Sequence, residues 1–207
     1  MGDQGLTDLP MKIKLPEREA AGRSSFEEIL AKRRSIRSYS EKALSESDVA
    51  RFLWAAQGIS SKEGFRTAPS AGALYPLEVH LVAGNVAGIE PGVYRYISEE
   101  HSLIEDVSGD LRAKLATAAL SQPMIRNAPA SLVISAVYPR ITSKYMKRGI
   151  RYAVMEAGHV AENIYLLATE LGIGTCAIGA FEDEEVRKAL KLPANEDPLY
   201  IMPLGYV

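Results

Sequence analysis

The chain has 207 residues, 47% hydrophobic and 24% charged, with 24 Lys+Arg against 26 Asp+Glu for a net charge of −2. That is enough chain for one domain to bury a core unaided, and the near-balance of charge excludes the basic footprint of a nucleic-acid binder. One cysteine, Cys176, excludes an intrachain disulfide and a thiolate metal cluster, and His80, His101 and His159 show no metal-ligand spacing. The longest uncharged run, residues 127–139, is too short to cross a bilayer. The first ten residues lack a charged start followed by an apolar core. No metal, no membrane span and a cytoplasmic location are therefore expected.

Residues 1–23 carry Gly, Pro and charge without periodicity and read as an extended arm, leaving 24–207 as the domain. A Ser followed three residues later by Glu, within Ser24-Ser25-Phe26-Glu27, predicts a capped helix running to about Arg34. Leu44 to Asp48 opens a second helix that ends near Gly58, with Val49, Phe52, Leu53 and Ala56 on one face. Residues 64–76 form a Gly/Ala/Ser/Pro loop, followed by a strand over 77–82. Segments 92–97 and 102–107 pair as a hairpin, and a helix capped by Asp110 spans 110–120. The mostly apolar 129–137 suits a strand buried on both faces. The longest helix spans 147–171. Its stripe of Ile150, Val154, Ala157, Ala161, Ile164, Ala168 and Leu171 suits a helix–helix seam. A short helix over 182–190 and a strand over 198–207 complete an α+β chain.

Three motifs carry chemistry. Arg33-Arg34-Ser35-Ile36-Arg37 offers guanidinium forks suited to phosphate oxygens. If the helix continued, Arg33 and Arg37 would share a face, and the plain alternative is that these cations only complement the helix dipole. Pro69-Ser70-Ala71-Gly72-Ala73-Leu74-Tyr75-Pro76 has small residues that bring backbone groups close to a flat heterocycle, or it is only a Pro-bounded turn. Gly172 to Ala177 matches the spacing of a dinucleotide fingerprint, but a helix precedes it where a strand is required. It reads better as a glycine stop, with 176–181 crossing the core. Cys176 is expected to be a buried inert thiol, a Cys176–His159 nucleophile being the remote alternative. Lys144-Tyr145 is either a solvated pair or a proton-transfer pair.

The order of these motifs, with Glu156-Ala157-Gly158-His159, the segment 172–181 and Pro203-Leu204-Gly205, resembles the nitroreductase superfamily of flavoenzymes. It looks closest to the SagB-type dehydrogenase branch, which includes azoline oxidases of modified peptides. The resemblance covers about residues 12–207. It implies a mixed sheet flanked by helices, an intertwined homodimer, and FMN at the subunit interface. Arg33, Arg34, Ser35 and Arg37 would then hold the phosphate and the pyrimidine edge. Pro69, Ser70, Ala71, Gly72, Ala73 and Leu74 would come from the other subunit and line the ring. Ile178, Gly179 and Ala180 would set backbone groups near flavin N5, with Gln122 as a further contact. Lys144 and Tyr145 match a pair linked to proton transfer in the azoline oxidases. Many members carry basic phosphate ligands after the final Pro-Leu-Gly strand. This chain has none there, so the phosphate is expected to rest on the Arg33–Arg37 cluster.

The expected activity is hydride transfer at N5 between NAD(P)H or an organic donor and a small acceptor such as a nitroaromatic or quinone. The alternatives are an azoline dehydrogenase working on peptides with a peptide-modifying partner, or a flavin-binding protein without catalysis.

Overall fold

The computed structural model describes residues 10–17 and 24–207. Of the expected N-terminal arm, 10–17 is described and holds strand β1 (Lys12–Lys14), while 1–9 and 18–23 lie outside the described residues. Helix α1 (Phe26–Lys32) starts as its capping residues dictate. The Ser25 hydroxyl accepts from the Glu28 N–H, and the Glu28 carboxylate accepts from the Ser25 N–H. The helix stops before the expected Arg34, because Arg33 turns out of helical space at φ −51°, ψ 126°. Arg33 and Arg37 therefore share no helix face. Helix α2 (Glu46–Gln57) is boxed in the same way by Ser45 and Asp48.

The central sheet runs β1, β6 (Ser102–Ser108), β5 (Gly92–Ile97), β3 (Leu77–Ala83), β7 (Ala130–Ala136), β9 (Asp197–Tyr206), β8 (Ile173–Thr175). All of its pairings are antiparallel. The parallel component of the expected mixed sheet is confined to the short pair β2 (Leu44–Ser45) and β4 (Val86–Ala87). All residues of β7 are buried, since both faces of the sheet are covered. Leu132 and Ile134 face the core shared with α2 and the long helix α6 (Arg148–Leu171). Val133 faces the opposite core, built with α3 (Arg112–Ala118), α4 (Pro123–Asn127) and α7 (Asp183–Leu190).

Two expectations change. Helix α3 begins two residues after Asp110, which lies outside it and accepts from the Arg112 N–H at 3.1 Å while pairing with that residue's guanidinium at 2.6 Å. The stripe on α6 is not one seam. Ala157, Ala161, Ile164 and Ala168 are spent in the chain's own core. Ile150 and Val154 are 44% and 51% exposed. With Met155, and with Phe26 and Leu30 of α1, they leave apolar surface uncovered in the single chain.

After α1 the chain is extended and docks on the edge of the sheet. The Ile36 N–H donates to Thr175 O at 2.9 Å, and the Ser40 N–H donates to Tyr206 O at 2.8 Å. Gly174 and Gly205, partners across β8 and β9, make the room. A Cβ on Gly174 would stand 2.7 Å from Ile36 Cγ2, and one on Gly205 would stand 2.7 Å from Tyr39 Cβ and 2.9 Å from Pro129 Cδ. Changing Gly205→Ala should therefore lower stability by about 1–3 kcal/mol. A urea midpoint unchanged from the parent would contradict this account of the seat.

Candidate active site

The phenol of Tyr165, on α6, ties two distant segments together. Its oxygen lies 3.0 Å from Ser35 Oγ and accepts from the Ala177 N–H at 2.7 Å. The Arg33 guanidinium sits over the Tyr165 ring, 5.0 Å from its centroid. Arg34 folds back and donates to Ala31 O and Arg33 O. Among the described residues, Arg33, Arg34 and Arg37 enter no ion pair with a carboxylate. Three cations within five residues, without a carboxylate partner among the described residues, leave positive charge exposed at the sheet edge.

Behind them, burial drives the Tyr39 phenol far above its usual range, with Cys176 adding to the effect. Burial also pushes up the Cys176 thiol, and in both cases the Arg37 charge opposes the shift. Cys176 is fully enclosed, whereas His159 stands exposed on the outer face of α6, so the two do not meet as a nucleophile pair. Cys176 is an inert core thiol.

Downstream of Ala177, Ile178 exchanges both backbone hydrogen bonds with Ile201 at 2.9 Å. Its backbone is thereby committed. Gly179 and Ala180 are exposed, and among the described residues their N–H groups donate to no atom. Gln122, just before α4, donates through Nε2 to Ala180 O at 2.8 Å and to Ala119 O at 3.0 Å. Tyr165 thus joins the arginine segment to Ala177, and Gln122 braces Ala180 three residues further along the same segment.

The bend over 69–76 belongs to a second surface. Ser70 fastens it: its hydroxyl accepts from the Tyr75 N–H at 2.9 Å and its carbonyl from the Ala73 N–H at 3.0 Å. The backbone of Gly72, Ala73 and Tyr75 is left-handed, at φ 66°, 53° and 45°. The bend lies on α5 (Pro139–Tyr145), where a Cβ added to Gly72 would come 2.7 Å from the Tyr145 hydroxyl and 3.1 Å from Lys144 Nζ. Lys144-Tyr145 and the Gly72 bend, far apart in sequence, are therefore neighbours. The Tyr145 ring packs edge-on against Tyr152 of α6. A cleft of about 410 Å³ opens on the bend's flank, lined by Arg66, Leu74, Tyr75, Tyr96, Glu99 and Arg140.

Tyr165 and Glu156 are the residues that sequence reasoning left without a role. Glu156, only 2% exposed, lies on α6 beneath the bend. Burial pushes its carboxyl up to about 7, against Ser70, Gln57 and Arg66, which favour the charged form. Along α6, the nine steps from Glu156 to Tyr165 span about 13–14 Å. Within one chain, the arginine surface and the Gly72 bend rest on different halves of that helix.

With that geometry in place, comparison with known proteins is informative. The family model described as the nitroreductase family matches residues 30–206. A Methanocaldococcus jannaschii protein named as a nitroreductase is 46% identical over 195 residues, covering 94% of this chain and 96% of that protein. The microcin B17-processing protein McbC of Escherichia coli is 28% identical over 158 residues, covering 69% of this chain and 54% of McbC. The crystal structure of a Ralstonia eutropha protein described as a nitroreductase superposes with a TM-score of 0.83 at 25% identity, covering 99% of this chain and 96% of that one.

The fold, an α+β sheet with helices on both faces, is that of the nitroreductases, and the chain belongs to the nitroreductase family. It is an oxidoreductase with relatives in the branch that contains McbC.

Changing Tyr165→Phe should cost about 1–2 kcal/mol of stability, because it strands the Ala177 N–H and frees Ser35. Chemical denaturation checks this. A loss no larger than that of Tyr152→Phe, whose hydroxyl forms no such tie, would contradict the role given to the phenol.

Proposed function

We propose that the chain is an FMN-dependent oxidoreductase that moves hydride between NAD(P)H or an organic donor and a small acceptor such as a nitroaromatic or quinone. The observation that carries this reading is the unneutralised guanidinium cluster, tied through Tyr165 to a segment with two unspent N–H groups. The donor set fits a phosphorylated flavin: cations and a hydroxyl for phosphate and pyrimidine oxygens, and backbone N–H groups for a ring heteroatom. When bound, FMN would supply acceptance and donation of hydride at its N5.

The chain's residues supply position and field. Arg33, Arg34, Ser35 and Arg37 would hold the phosphate and the pyrimidine edge, where a fixed cation stabilises negative charge as it develops. Gly179 and Ala180 would donate at the N5 side, with Gln122 bracing Ala180. The bend Pro69, Ser70, Ala71, Gly72, Ala73, Leu74 would close the opposite face of the ring. The bend and the arginines rest on different halves of α6, which supports taking the bend from a second copy of the chain. The exposed Phe26, Leu30, Ile150, Val154 and Met155 support an interface between the copies. Lys144 and Tyr145 would give and take protons at the mouth of the site.

A second reading has its own support. Lys144 and Tyr145 touch the Gly72 bend, and McbC is named for processing microcin B17. An azoline dehydrogenase acting on peptides would use the same pair with a peptide-modifying partner.

The purified chain with added FMN should show protein-bound flavin bands and reduce a quinone or nitroaromatic at the expense of NAD(P)H. Arg37→Ala should weaken FMN binding about tenfold or more. No bound flavin would contradict the cofactor reading. Turnover of azoline peptides without NAD(P)H use, lost in Lys144→Ala with flavin retained, would favour the second reading. Bound flavin with no turnover of either kind would leave a flavin carrier.

A further inference from the structure

Beneath the bend lies a buried polar chain that the reading above does not use. Arg66 Nη1 donates to Gln57 Oε1 at 3.0 Å, while Arg66 Nη2 pairs with Glu99 at 3.0 Å. The Arg66 guanidinium also covers the Tyr75 ring, 4.7 Å from its centroid, and the Arg66 N–H donates to the Tyr75 hydroxyl at 3.2 Å. Among the described residues, Gln57 Nε2, at the end of α2, is enclosed with no acceptor at hydrogen-bond distance. Among the described residues, both carboxyl oxygens of Glu156 are enclosed with no donor at hydrogen-bond distance. Ser70 Oγ already accepts from the Tyr75 N–H, so its own hydrogen is free to be given away. The Gln57 amide and the Ser70 hydroxyl thus bear on one carboxyl, whose neutral form can accept from one of them and give its own hydrogen to the other's oxygen. Orphaned buried groups of opposite kind, side by side, are costly unless the arrangement serves something.

We propose that Glu156 is a positioning residue: through Ser70 and Gln57 it seats the bend over 69–76 on α6 and α2 and so sets the wall that closes over the flavin. The flavin part of this rests on the cofactor reading above, whereas the seating of the bend does not. Glu156 acts through Ser70 and touches no reacting atom.

The sign of the pH effect follows from burial. From the bend Ser70 bears on the carboxyl, and from α2 Gln57. From the segment before the bend Arg66 does so, its charge shared with Glu99. At the far side of the bend stand Lys144 and Tyr145 of α5. The carboxyl stays neutral up to about 7 when enclosed, against 4.5 when free. The seated bend is therefore favoured below that window and loses this stabilisation as pH rises through it, since a charged carboxylate is better solvated with the bend lifted.

The test compares the wild type, Glu156→Gln, Glu156→Ala and Ser70→Ala. The first readout is amide exchange of residues 70–75 in the FMN-free protein at one pH. Glu156→Ala and Ser70→Ala should exchange about tenfold faster than wild type there, and Glu156→Gln within about threefold of it. The second is FMN affinity by flavin fluorescence at about pH 5.5 and about pH 8, taken as the ratio of wild type to Glu156→Gln. Wild-type binding should weaken relative to the Gln variant at the higher pH, by about threefold to tenfold.

Unchanged exchange in both Ala variants overturns the seating role. Should Glu156→Ala not fold, wild-type exchange of residues 70–75 at about pH 5.5 and about pH 8, corrected for the intrinsic pH dependence, decides that arm: no rise in opening through the window overturns the seating role. Faster exchange with wild type and Gln variant parallel in pH overturns the link from the carboxyl to the flavin wall. A wild type that binds no FMN overturns the cofactor reading, and with it the flavin wall. The exchange arm then decides the seating role alone.

Discussion

One phenol oxygen organises the arginine surface. Tyr165 accepts from the Ala177 N–H and shares a hydrogen with Ser35 Oγ. It fastens the segment leaving α1 to the point where the chain leaves β8. The glycines at 174 and 205 provide the space, and the Ile36–Thr175 hydrogen bond continues the contact. Arg33, Arg34 and Arg37 repel one another, and no carboxylate among the described residues offsets them. A segment of that kind stays in one place only if its backbone and Ser35 are held independently of its charges. That arrangement leaves positive potential exposed along the segment that follows Lys32.

Helix α6 divides the work. Its small residues Ala157, Ala161 and Ala168 let it lie close to the sheet. Its first half presents Tyr152 and Glu156 to the bend and to α5, and its second half presents Tyr165 to the arginine segment. Because one helix carries both supports, the spacing between the surfaces is fixed by helical rise rather than by loops. A single copy keeps them apart, and the proposed second copy would bring one surface of each chain against the complementary surface of the other. The uncovered apolar residues Ile150, Val154 and Met155 lie on the helix that carries both supports, and Phe26 and Leu30 on α1.

Elements with strong local signals were readable in advance. The Ser25 and Ser45 caps, the long α6 and the doubly buried β7 all announce themselves within a few residues. Strands β2 and β4 are too short to show alternation, and β8 follows a glycine stop that masks it. Helices α4 and α5 each begin at a proline and run too briefly for a period to emerge. The motifs named the arginine cluster, the bend and Lys144-Tyr145. Their joining was not readable, because Ser35 and Tyr165 stand 130 residues apart and only the sheet brings them together. Glu156 sat in a recognised motif, yet nothing local distinguished an enclosed carboxyl from a solvated one on an amphipathic helix.

The most direct test of the central claim is calorimetric titration of the purified chain with FMN and, separately, with riboflavin, which lacks the phosphate. The account predicts FMN binding tighter by about tenfold or more, with the advantage shrinking as salt is raised. Equal affinity for the two flavins, independent of salt, would contradict the role given to Arg33, Arg34 and Arg37.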